Sequence, residues 1–395
     1  MREAPRHDKP LRIFHVLRAP LGGLFRHVVD LAREQAARGH AVGIIADSLT
    51  GGERAKNIFA TLAPALSLGV SRVPMRRNPH FSDLGALAHV RHALRTANPD
   101  VVHGHGSKGA VYARLPSLLP HSSGAVRAYT PHGGSFNYRP GSAIHRVYMA
   151  IERLLTSATD IFLFESAFIE GCFHKYVGKT SALTRVIVNG ISPEEFLPVS
   201  KNADAADFLY VGELRAAKGI DTLLEALAGV RDATGFKARA VLVGSGPDEC
   251  LLTAQATRLG LQDQISFAGA MPARAAFRLG RIMVVPSRAE SLPYVVLEAA
   301  AARMPLISTN AGGIPEIFGP FNARLIAPDD PHLLKAEMLR MLQCDAAQTE
   351  REITGLAAFV KQRFSIENMA DAVISGYHAA IDKRAGLPQP ARAAA

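Results

Sequence analysis

Two glutamates, Glu290 and Glu298, lie eight residues apart, around a segment that begins Ser291-Leu292-Pro293. Proline suits the first turn of a helix, so we expect a helix to begin near Ser291. Glu290 would then lie in the loop before the helix and Glu298 one to two turns inside it. Carboxylates accept hydrogen bonds from neighbouring hydroxyl groups, so the two glutamates could hold one polyhydroxylated ligand at different depths.

Two cations, Arg215 and Lys218, lie three residues apart, between an apolar segment and a predicted helix at Ile220–Val230. Cations beside a helix N-terminus make a good site for a diphosphate, because the positive end of the helix dipole adds to their charge. The alternative is a pair of solvated surface cations, and this motif alone does not decide between the two.

Glycine turns follow several of the apolar segments. Such a turn lets the backbone approach a ligand closely, and a following helix offers free amide groups to a phosphate. The turns are Gly22-Gly23, Gly244-Ser245-Gly246, the segment around Gly269 and Met271, and Gly312-Gly313. The first turn is not the GxGxxG fingerprint, which weakens a dehydrogenase interpretation, and by itself such a turn more often serves structure alone.

Histidines lie in two further glycine-rich turns. His105 belongs to the segment HGHGSKG that begins at residue 103, and His132 belongs to TPHGG, which begins at residue 130. Two histidines of this kind indicate a polar cleft, although each could also be a structural histidine with internal partners. Acidic partners for a metal ion are missing nearby, so we expect no metal site.

The elements that must position these residues are apolar segments that alternate with amphipathic helices, as in parallel sheets. The predicted strands are 11–17, 41–46, 101–104, 126–130, 160–164, 185–188, 208–211, 240–244, 265–269, 282–286 and 306–309. Two consecutive series predict two doubly wound α/β domains, with a break near residues 189–206. Ligands of such sheets bind at the carboxyl ends of the strands, where the residues above lie.

Length and composition agree with two globular domains. The chain has 395 residues, of which 48% are hydrophobic and 20% charged, and this excludes disorder and collagen. The three cysteines are far apart, which argues against a disulfide framework or a zinc ribbon and favours a reducing cytosol. The first residues lack the apolar core of a signal peptide, and no uncharged apolar run reaches the roughly 18 residues of a membrane span. We therefore expect a cytoplasmic protein.

The positive charge is concentrated in the first half. Residues 1–190 hold 24 Lys and Arg against 12 Asp and Glu, a net charge of +12, whereas residues 191–395 have a net charge of −2. A basic half of this size predicts an anionic partner: a phosphate-bearing substrate, a membrane surface or nucleic acid. A generally basic surface without a specific partner is the alternative.

Taken together, the motifs resemble those of the retaining nucleotide-sugar glycosyltransferases of family 4 (glycosyl transferases group 1), which have the GT-B architecture. The resemblance extends from about residue 11 to about residue 381, and its sharpest element is Glu290-x7-Glu298. Other motifs support it in family order: Gly22-Gly23, His132, Arg215 with Lys218, Gly244-x-Gly246 and Gly312-Gly313.

The resemblance implies two Rossmann-like doubly wound domains that face each other across a central cleft. Residues 1–190 would form the acceptor-binding domain, together with a C-terminal crossover helix at about 366–384. Residues 200–365 would form the donor-binding domain. The composition of residues 385–395, mostly alanine and proline, predicts a disordered tail.

The resemblance also implies roles for single residues. His132 would lie beside the anomeric carbon, Glu290 would bind hydroxyls of the transferred sugar, and Arg215 and Lys218 would neutralise the leaving diphosphate; these four are the predicted catalytic residues. Glu298 would bind the ribose hydroxyls. The remaining predicted donor contacts are Gly22, Gly23, Gly244, Gly269, Met271, Ser291 and Leu292. The resemblance implies no role for His105.

The implied reaction passes through an oxocarbenium-like transition state while negative charge develops on the departing nucleoside diphosphate. Preorganised cations and helix-end amides stabilise such charge. The sequence has no Asp-x-Asp metal motif, and this architecture generally needs no metal. The implied ligand is a nucleotide-sugar donor without a further cofactor, and a UDP- or GDP-sugar is favoured.

Basic N-terminal domains of this family often dock on anionic membranes and take lipid-linked acceptors. Residues 144–155 have an amphipathic pattern with basic flanks, which fits this property, although a packed surface helix is the alternative. The other candidate contacts are Arg72, Arg76, Arg77, Arg91 and Arg95. We therefore expect an enzyme that extends a polyprenyl-diphosphate-linked glycan or another cell-surface polysaccharide or glycolipid precursor, peripherally at the inner face of the cytoplasmic membrane.

Three rival interpretations remain open. One is another enzyme of the same architecture, such as a nucleotide-sugar epimerase or a glycan phosphorylase. Another is a nucleic-acid-binding protein, but the chain has no Trp and no aromatic RNA-binding signature, so we expect no nucleic acid partner. The third is a catalytically inactive glycosyltransferase that acts as a binding subunit.

Overall fold

The computed structural model describes residues 9–119 and 124–387. The chain divides into two compact units, which we call unit 1 (residues 1–190 and 366–395) and unit 2 (residues 191–365). The boundary falls inside the interval 189–206 in which the sequence predicts a break. Most of the predicted disordered tail, residues 388–395, lies outside the described residues, and residues 385–387 form a turn after the last helix.

Unit 1 contains a seven-stranded parallel sheet in the order β3-β2-β1-β4-β5-β6-β7. Its strands are β1 (Arg12–Leu17), β2 (Ala41–Asp47), β3 (Gly69–Val73), β4 (Val101–His105), β5 (Val126–Thr130), β6 (Ile161–Phe164) and β7 (Leu183–Val186). The connecting helices are α1 (Gly22–Ala37), α2 (Gly52–Leu62), α3 (Ser82–Ala97), α4 (Gly106–Arg114), α5 (Ala143–Leu154) and α6 (Ala167–Tyr176). Successive strands are added in one direction from β1 to β3 and in the opposite direction from β4 to β7. The switch point of unit 1 therefore lies between β1 and β4.

Unit 2 contains a five-stranded parallel sheet in the order β10-β9-β8-β11-β12. Its strands are β8 (Ala206–Val211), β9 (Ala240–Val243), β10 (Ile265–Phe267), β11 (Gly280–Val285) and β12 (Leu306–Ser308). Its helices are α7 (Ile220–Thr234), α8 (Glu249–Arg258), α9 (Ala273–Ala276), α10 (Tyr294–Ala301), α11 (Ile314–Phe318), α12 (Pro331–Gln343) and α13 (Ala346–Arg363). Here the switch point lies between β8 and β11.

The last helix, α14 (Ile366–Arg384), returns to unit 1. Its residues Met369, Val373 and Tyr377 are at most 2% exposed and share a core cluster with strand residues of β1, β4 and β5. Each large apolar side chain buried in this way contributes about 1.5–3 kcal/mol. This helix is therefore part of the folded core of unit 1, although unit 2 separates it from the rest of that unit in sequence.

The structure confirms the predicted α/β class with two parallel doubly wound sheets and corrects several details. The sequence analysis missed β3, because Gly-Val-Ser-Arg-Val is not an apolar run; this edge strand is only half-buried. Strand β7 lies at 183–186 rather than 185–188, and β10 ends at Phe267, because Gly269 adopts a left-handed φ of +68°. Gly22 and Gly23, which the sequence analysis assigns to a turn, are the first two residues of helix α1.

Candidate functional site

In unit 2 the predicted donor residues gather at the switch point. Arg215 and Lys218 follow β8, and Glu290 follows β11, the neighbouring strand. Lys218 Nζ donates to Glu290 Oε1 at 2.6 Å. Ser287 Oγ donates to the same oxygen at 2.8 Å, and the Glu290 side chain is buried. The described residues make no other hydrogen bond to Glu290, so Oε2 is open to a ligand.

Arg288 fixes the two loops that carry this pair. Its guanidinium donates to both carboxylate oxygens of Asp221, at 2.8 and 2.7 Å, and to the Ala216 carbonyl at 2.5 Å. Its backbone amide donates to the Ala217 carbonyl at 2.9 Å. Hydrogen bonding to Asp221 raises the pKa of Arg288, and hydrogen bonding to Asp329 adds to this shift. Bidentate contacts of this kind hold the Arg215–Lys218 turn against the Glu290 loop.

Arg215 remains near the surface. Its Nε lies 3.0 Å from Glu213 Oε2, and both side chains are about half exposed. An exposed ion pair contributes little to stability, so exchanging Glu213 for an anionic ligand costs little. Arg215 can therefore turn to a diphosphate, whereas Lys218 is already placed by Glu290.

The helix after Glu290 begins later than the sequence predicts. Pro293 is the N-cap of α10 with an extended ψ of 123°, and helical residues start at Tyr294 rather than near Ser291. Glu298 is consequently the fifth residue of α10, and its side chain is 9% exposed. Leu292 is buried, so its side chain is not available to a ligand, and Ser291 is half-buried.

Glycines let loops of unit 2 pass very close to one another. A Cβ on Gly312 would lie 1.8 Å from the Glu290 carbonyl oxygen, and one on Gly244 would lie 1.8 Å from the Gly212 carbonyl oxygen. Gly244 also donates its amide to the Gly269 carbonyl at 2.8 Å, which brings the turn that carries Met271 beside it. The glycines thus serve tight packing around the predicted donor residues.

In unit 1 the predicted residues lie around the other switch point. Gly22 and Gly23 are exposed at the N-terminus of the 16-residue helix α1, and Gly22 has a φ of +61°. His132 follows β5 and has a φ of +54°, which is unusual for a side chain with a Cβ. Such a conformation costs energy and persists only where surrounding contacts enforce it.

Five histidines form one buried cluster beside this turn. His15 (β1) and His103 (β4) are paired in register, and His105 is two residues further along β4. The rings of His103 and His105 lie 3.9 Å apart, and the ring of His27 (α1) meets that of His132 edge-on at 4.6 Å. His132 is partly exposed, and the other four histidines are buried.

Burial keeps these rings neutral. It lowers the pKa of His15 and of His27 to about 4, although hydrogen bonds to Gln35 and Asn189 oppose the shift. Burial also lowers the pKa of His103, His105 and His132 well below the usual value. Neutral imidazoles could ligate a metal ion, and His15, His103 and His105 lie close enough together to do so. However, each ring nitrogen of these three already has a protein partner within 3.0 Å, as expected of a hydrogen-bonded network.

The structure therefore collects the predicted residues in two sets, one within each unit. Sequence reasoning missed Ser287, which shares Glu290 Oε1 with Lys218. It also missed Gln35 and His15, which connect to His132 through His105. Their only signal is a polar residue in an otherwise apolar strand or helix face, which is too common to single them out.

Comparison with known proteins identifies the class of enzyme. The family model described as glycosyltransferase family 4 matches residues 21–195, and the model described as glycosyl transferases group 1 matches residues 192–355. The chain is 26% identical over 394 residues to glycogen synthase of Mycobacterium tuberculosis, covering 94% of each chain. It is 24% identical over 360 residues to the gpi3 subunit of phosphatidylinositol N-acetylglucosaminyltransferase of Schizosaccharomyces pombe, covering 89% of this chain and 76% of the relative.

A solved structure supports the same conclusion for the fold. Anabaena HepE, determined in complex with UDP-glucose, superposes with a TM-score of 0.76 at 18% identity, covering 95% of this chain and 100% of that chain. The two family matches together run from residue 21 to residue 355. The chain belongs to the glycosyltransferases, as an enzyme of the hexosyltransferase type with the GT-B fold.

Proposed function

We propose that this enzyme is a retaining glycosyltransferase of family 4 that binds a nucleoside-diphosphate sugar at the switch point of unit 2. The observation that carries the proposal is the Lys218–Glu290 pair, in which a cation and a carboxylate with one open oxygen lie side by side. Such a pair can bind a phosphate oxygen and a sugar hydroxyl at once. The HepE complex favours a UDP-sugar as the donor.

Each donor-site residue has one task in this proposal. Lys218 and Arg215 stabilise the charge that develops on the diphosphate as the glycosidic bond breaks. Glu290 Oε2 accepts hydrogen bonds from the transferred sugar, and Glu298 accepts them from the ribose. The turns at Gly244 and at Gly269–Met271 contact the nucleotide, and Ser291 and Leu292 are further donor contacts.

Two predicted contacts come from unit 1. We assign Gly23 to the donor phosphate, because the free amide groups at the start of α1 suit an anion. We assign His132 to the sugar beside the anomeric carbon. Retention follows if the leaving phosphate deprotonates the acceptor on the same face of the sugar, so no protein nucleophile and no resident metal ion is required.

The donor site is tested by thermal shift with UDP, GDP, ADP, CMP and dTDP. A ligand at 100 times its Kd stabilises the folded state by about 2.7 kcal/mol, which is readily measured. We expect the largest shift with UDP, its loss in Glu298→Ala and Arg215→Ala, and an unchanged shift in Arg258→Ala, whose side chain is exposed on α8. A chain that responds to none of the five nucleotides does not have the proposed donor site.

The stereochemistry is tested separately. With the UDP-α-sugar that gives turnover, NMR of the first product should show an α-glycosidic bond. A β-linked first product would show inversion and would remove the enzyme from the retaining group, while leaving the donor site intact.

For the acceptor we propose a lipid-linked glycan or glycolipid precursor at an anionic membrane surface, on the evidence of α5. An ordinary surface helix buries its apolar face, whereas α5 exposes apolar side chains on its outer face. Its outer face carries Ile144, Val147, Ile151 and Leu154, which are 40–75% exposed. We call these four residues the α5 stripe. Apolar groups in this spacing line one face of a helix, as in helices that lie in a membrane interface.

The inner face of α5 is held by a buried ion pair. Glu152 accepts from Tyr129 Oη at 2.8 Å and from Arg114 Nη2 at 3.2 Å, and both charged side chains are at most 2% exposed. Breaking a pair of this kind costs several kcal/mol, so α5 cannot rotate to bury its stripe. The exposure of the α5 stripe is therefore built into the fold.

The basic residues predicted as membrane contacts fit an anionic surface only in part. Arg146 is exposed on α5, and Arg76, Arg77 and Arg95 are exposed on the same unit. Arg72 instead donates to the carbonyls of Asp47 and Thr50, and Arg91 is half-buried. The name of the fission yeast relative specifies a phosphatidylinositol substrate, which supports a lipid-bound acceptor. In the described part of the chain, no helix is long and apolar enough to cross a membrane.

Vesicle cosedimentation tests the membrane proposal. We expect binding to vesicles with an anionic phospholipid at low salt, and a strong loss of binding in Val147→Ser with Leu154→Ser. Leu251→Ser is the matched control, because Leu251 is 69% exposed on a helix of unit 2. Equal binding of the α5 variant and the wild type, or no binding of either, would refute the membrane role of α5.

A further inference from the structure

A chain of hydrogen bonds connects a buried glutamine to His132. Gln35 Oε1 lies 2.8 Å from His15 Nε2. His15 Nδ1 lies 2.9 Å from His105 Nε2, and His105 Nδ1 lies 3.0 Å from His132 Nε2. Gln35, His15 and His105 are at most 1% exposed, so water does not replace any of these partners.

The direction of this chain follows from the chemistry of neutral imidazole, which has one N–H donor and one acceptor nitrogen. An amide oxygen only accepts, so His15 must donate through Nε2, and its Nδ1 is an acceptor. His105 must then donate to that acceptor through Nε2, and its own Nδ1 accepts. For the same reason, His132 must donate through Nε2, which leaves its Nδ1 without a proton.

We propose that Gln35 is a positioning residue that fixes the tautomer of His132 through His15 and His105. His132 thereby presents an unprotonated Nδ1, an acceptor, to whatever binds at its exposed edge. His105, to which the family resemblance gives no role, is the central link.

The orientation of the Gln35 amide decides the direction of every hydrogen bond between Gln35 and His132. The structure places Oε1 of this amide toward His15, and the buried Nε2 has no hydrogen-bond partner among the described residues. The opposite orientation would direct an N–H group at His15 and reverse every donation as far as His132, so the protonated nitrogen of His132 shows which orientation is present.

The neighbouring rings of His103 and His27 do not compete for the ring nitrogens that connect His15, His105 and His132. His103 is satisfied by Tyr377 Oη at 2.7 Å and Thr130 Oγ1 at 2.8 Å. His27 uses Nδ1 for Asn189 Oδ1 at 3.1 Å. The ring of His103 packs on that of His105, and the ring of His27 packs on those of His105 and His132. These contacts hold the rings in place without changing which nitrogen donates a hydrogen bond.

The catalytic consequence rests on the proposed function. A sugar hydroxyl can donate to an unprotonated Nδ1 of His132, but the opposite tautomer would present an N–H there. An even mixture of tautomers leaves half of the molecules competent, so kcat/KM falls about twofold, and a full reversal costs more.

The tautomers are read directly in the full chain, without substrate, from long-range proton–nitrogen NMR spectra of protein labelled with 15N-histidine. The signals of His132 are assigned by their absence in His132→Gln. We expect a proton on Nε2 and none on Nδ1 of His132, His105 and His15 at neutral pH. A proton on Nδ1 of His132 would mean that the amide points the other way and would overturn the proposal, as would an imidazolium.

The role of Gln35 is tested with Gln35→Met, which keeps the length of the side chain and removes the acceptor. We expect a mixture of tautomers at His132 and about a twofold loss of kcat/KM. Gln264→Met, a change of an equally buried glutamine in unit 2, should leave both unchanged. An unaltered single tautomer of His132 in Gln35→Met would refute the role of Gln35. If this variant does not fold, the wild-type spectrum still decides the direction of hydrogen-bond donation between His132 and Gln35. Correct tautomers without UDP-sugar turnover would refute the proposed function alone.

Discussion

At the scale of single residues, the proposed donor site depends on one carboxylate, Glu290, that has two hydrogen-bond partners. Glu290 Oε1 accepts from Lys218 and from Ser287, so the charge of the lysine is partly neutralised before any ligand arrives. In the proposed function, the diphosphate would therefore meet a lysine whose position is already fixed. Preorganised charge of this kind needs little rearrangement at the moment of reaction.

Lys218→Met should lower kcat by roughly 10²–10³, the usual cost of removing one group that stabilises transition-state charge. The reason is that methionine keeps the apolar stem but has no charge for the leaving diphosphate. Steady-state kinetics with the UDP-sugar measure the effect, and Lys237→Met, which changes an exposed lysine of unit 2, serves as the control. A loss confined to KM would show that Lys218 binds the donor without stabilising the transition state.

The buried histidines make stability depend on pH. His15 and His27 have pKa values of about 4 in the folded chain, whereas an unfolded histidine titrates near pH 6.5. Between these values the unfolded chain binds more protons, so the free energy of unfolding falls as the pH falls from about 6.5 to about 4. Each histidine contributes a slope of up to about 1.4 kcal/mol per pH unit.

Urea denaturation at pH 7 and pH 5, followed by circular dichroism, measures this slope. We expect His15→Gln to lower stability at pH 7 and to show a smaller further loss at pH 5 than the wild type. His92→Gln, which changes an exposed histidine of α3, should keep the wild-type dependence. Identical pH dependence in all three proteins would mean that His15 does not remain neutral in the folded state.

At the scale of elements, the close approach of loops in unit 2 depends on glycine. Gly312 and Gly235 both adopt left-handed φ, +59° and +72°, so an added Cβ strains both backbones. At Gly235 the Cβ meets nothing within 4 Å, whereas at Gly312 it meets the Glu290 carbonyl oxygen at 1.8 Å. The two positions therefore separate backbone strain from a steric clash at the donor site.

Gly235→Ala should lose about 1–2 kcal/mol of stability, the cost of a left-handed residue with a Cβ, and keep nucleotide binding. Gly312→Ala should lose more stability and also most UDP affinity, because the Glu290 loop must move. Thermal unfolding with and without UDP measures both effects. Normal UDP binding by Gly312→Ala would show that the position of the Glu290 backbone does not matter for the donor.

At the scale of the whole molecule, the chain leaves unit 1, builds unit 2 and returns with α14. Three large side chains of α14, from Met369, Val373 and Tyr377, are buried in unit 1. At about 1.5–3 kcal/mol each, the loss of these three side chains is large compared with the net 5–15 kcal/mol by which a typical domain is stable.

Truncation after Ser365 should therefore unfold unit 1 and leave unit 2 folded. We expect loss of circular dichroism in proportion to unit 1, with the UDP-dependent thermal shift partly retained. Truncation after Leu387 is the matched control, because it removes only residues that follow the last described turn. A truncated chain with the full signal of both sheets would show that α14 is dispensable.

The distribution of charge is also a property of the whole chain. Residues 1–190 have a net charge of +12, while the remaining residues have a net charge of −2. If an anionic membrane is the partner, binding should weaken steeply as salt rises, since the Debye length falls from about 30 Å at 0.01 M to about 10 Å at 0.1 M. Vesicle binding that is the same at both salt concentrations would leave only the apolar α5 stripe as an explanation.

The sequence by itself determined the class of fold and the identity of the predicted site residues. Apolar runs that alternate with amphipathic helices specify parallel sheets, because a strand buried on both faces tolerates few polar residues. Residues at the ends of such strands, among them Arg215, Lys218 and Glu290, are therefore readable as ligand-binding candidates. The edge strand β3 escaped this reasoning because a half-buried strand needs no apolar run.

Only the tertiary structure decided which of these residues touch and in what state. The pairing of Lys218 with Glu290 spans 72 positions, and the chain from Gln35 to His132 joins residues of β1, β4, α1 and the turn after β5. Contacts between strands that are distant in sequence depend on strand order, which periodicity does not specify. The outward turn of the α5 stripe is likewise invisible in the sequence, because the same amphipathic pattern can bury either face, and the buried Arg114–Glu152 pair selects one.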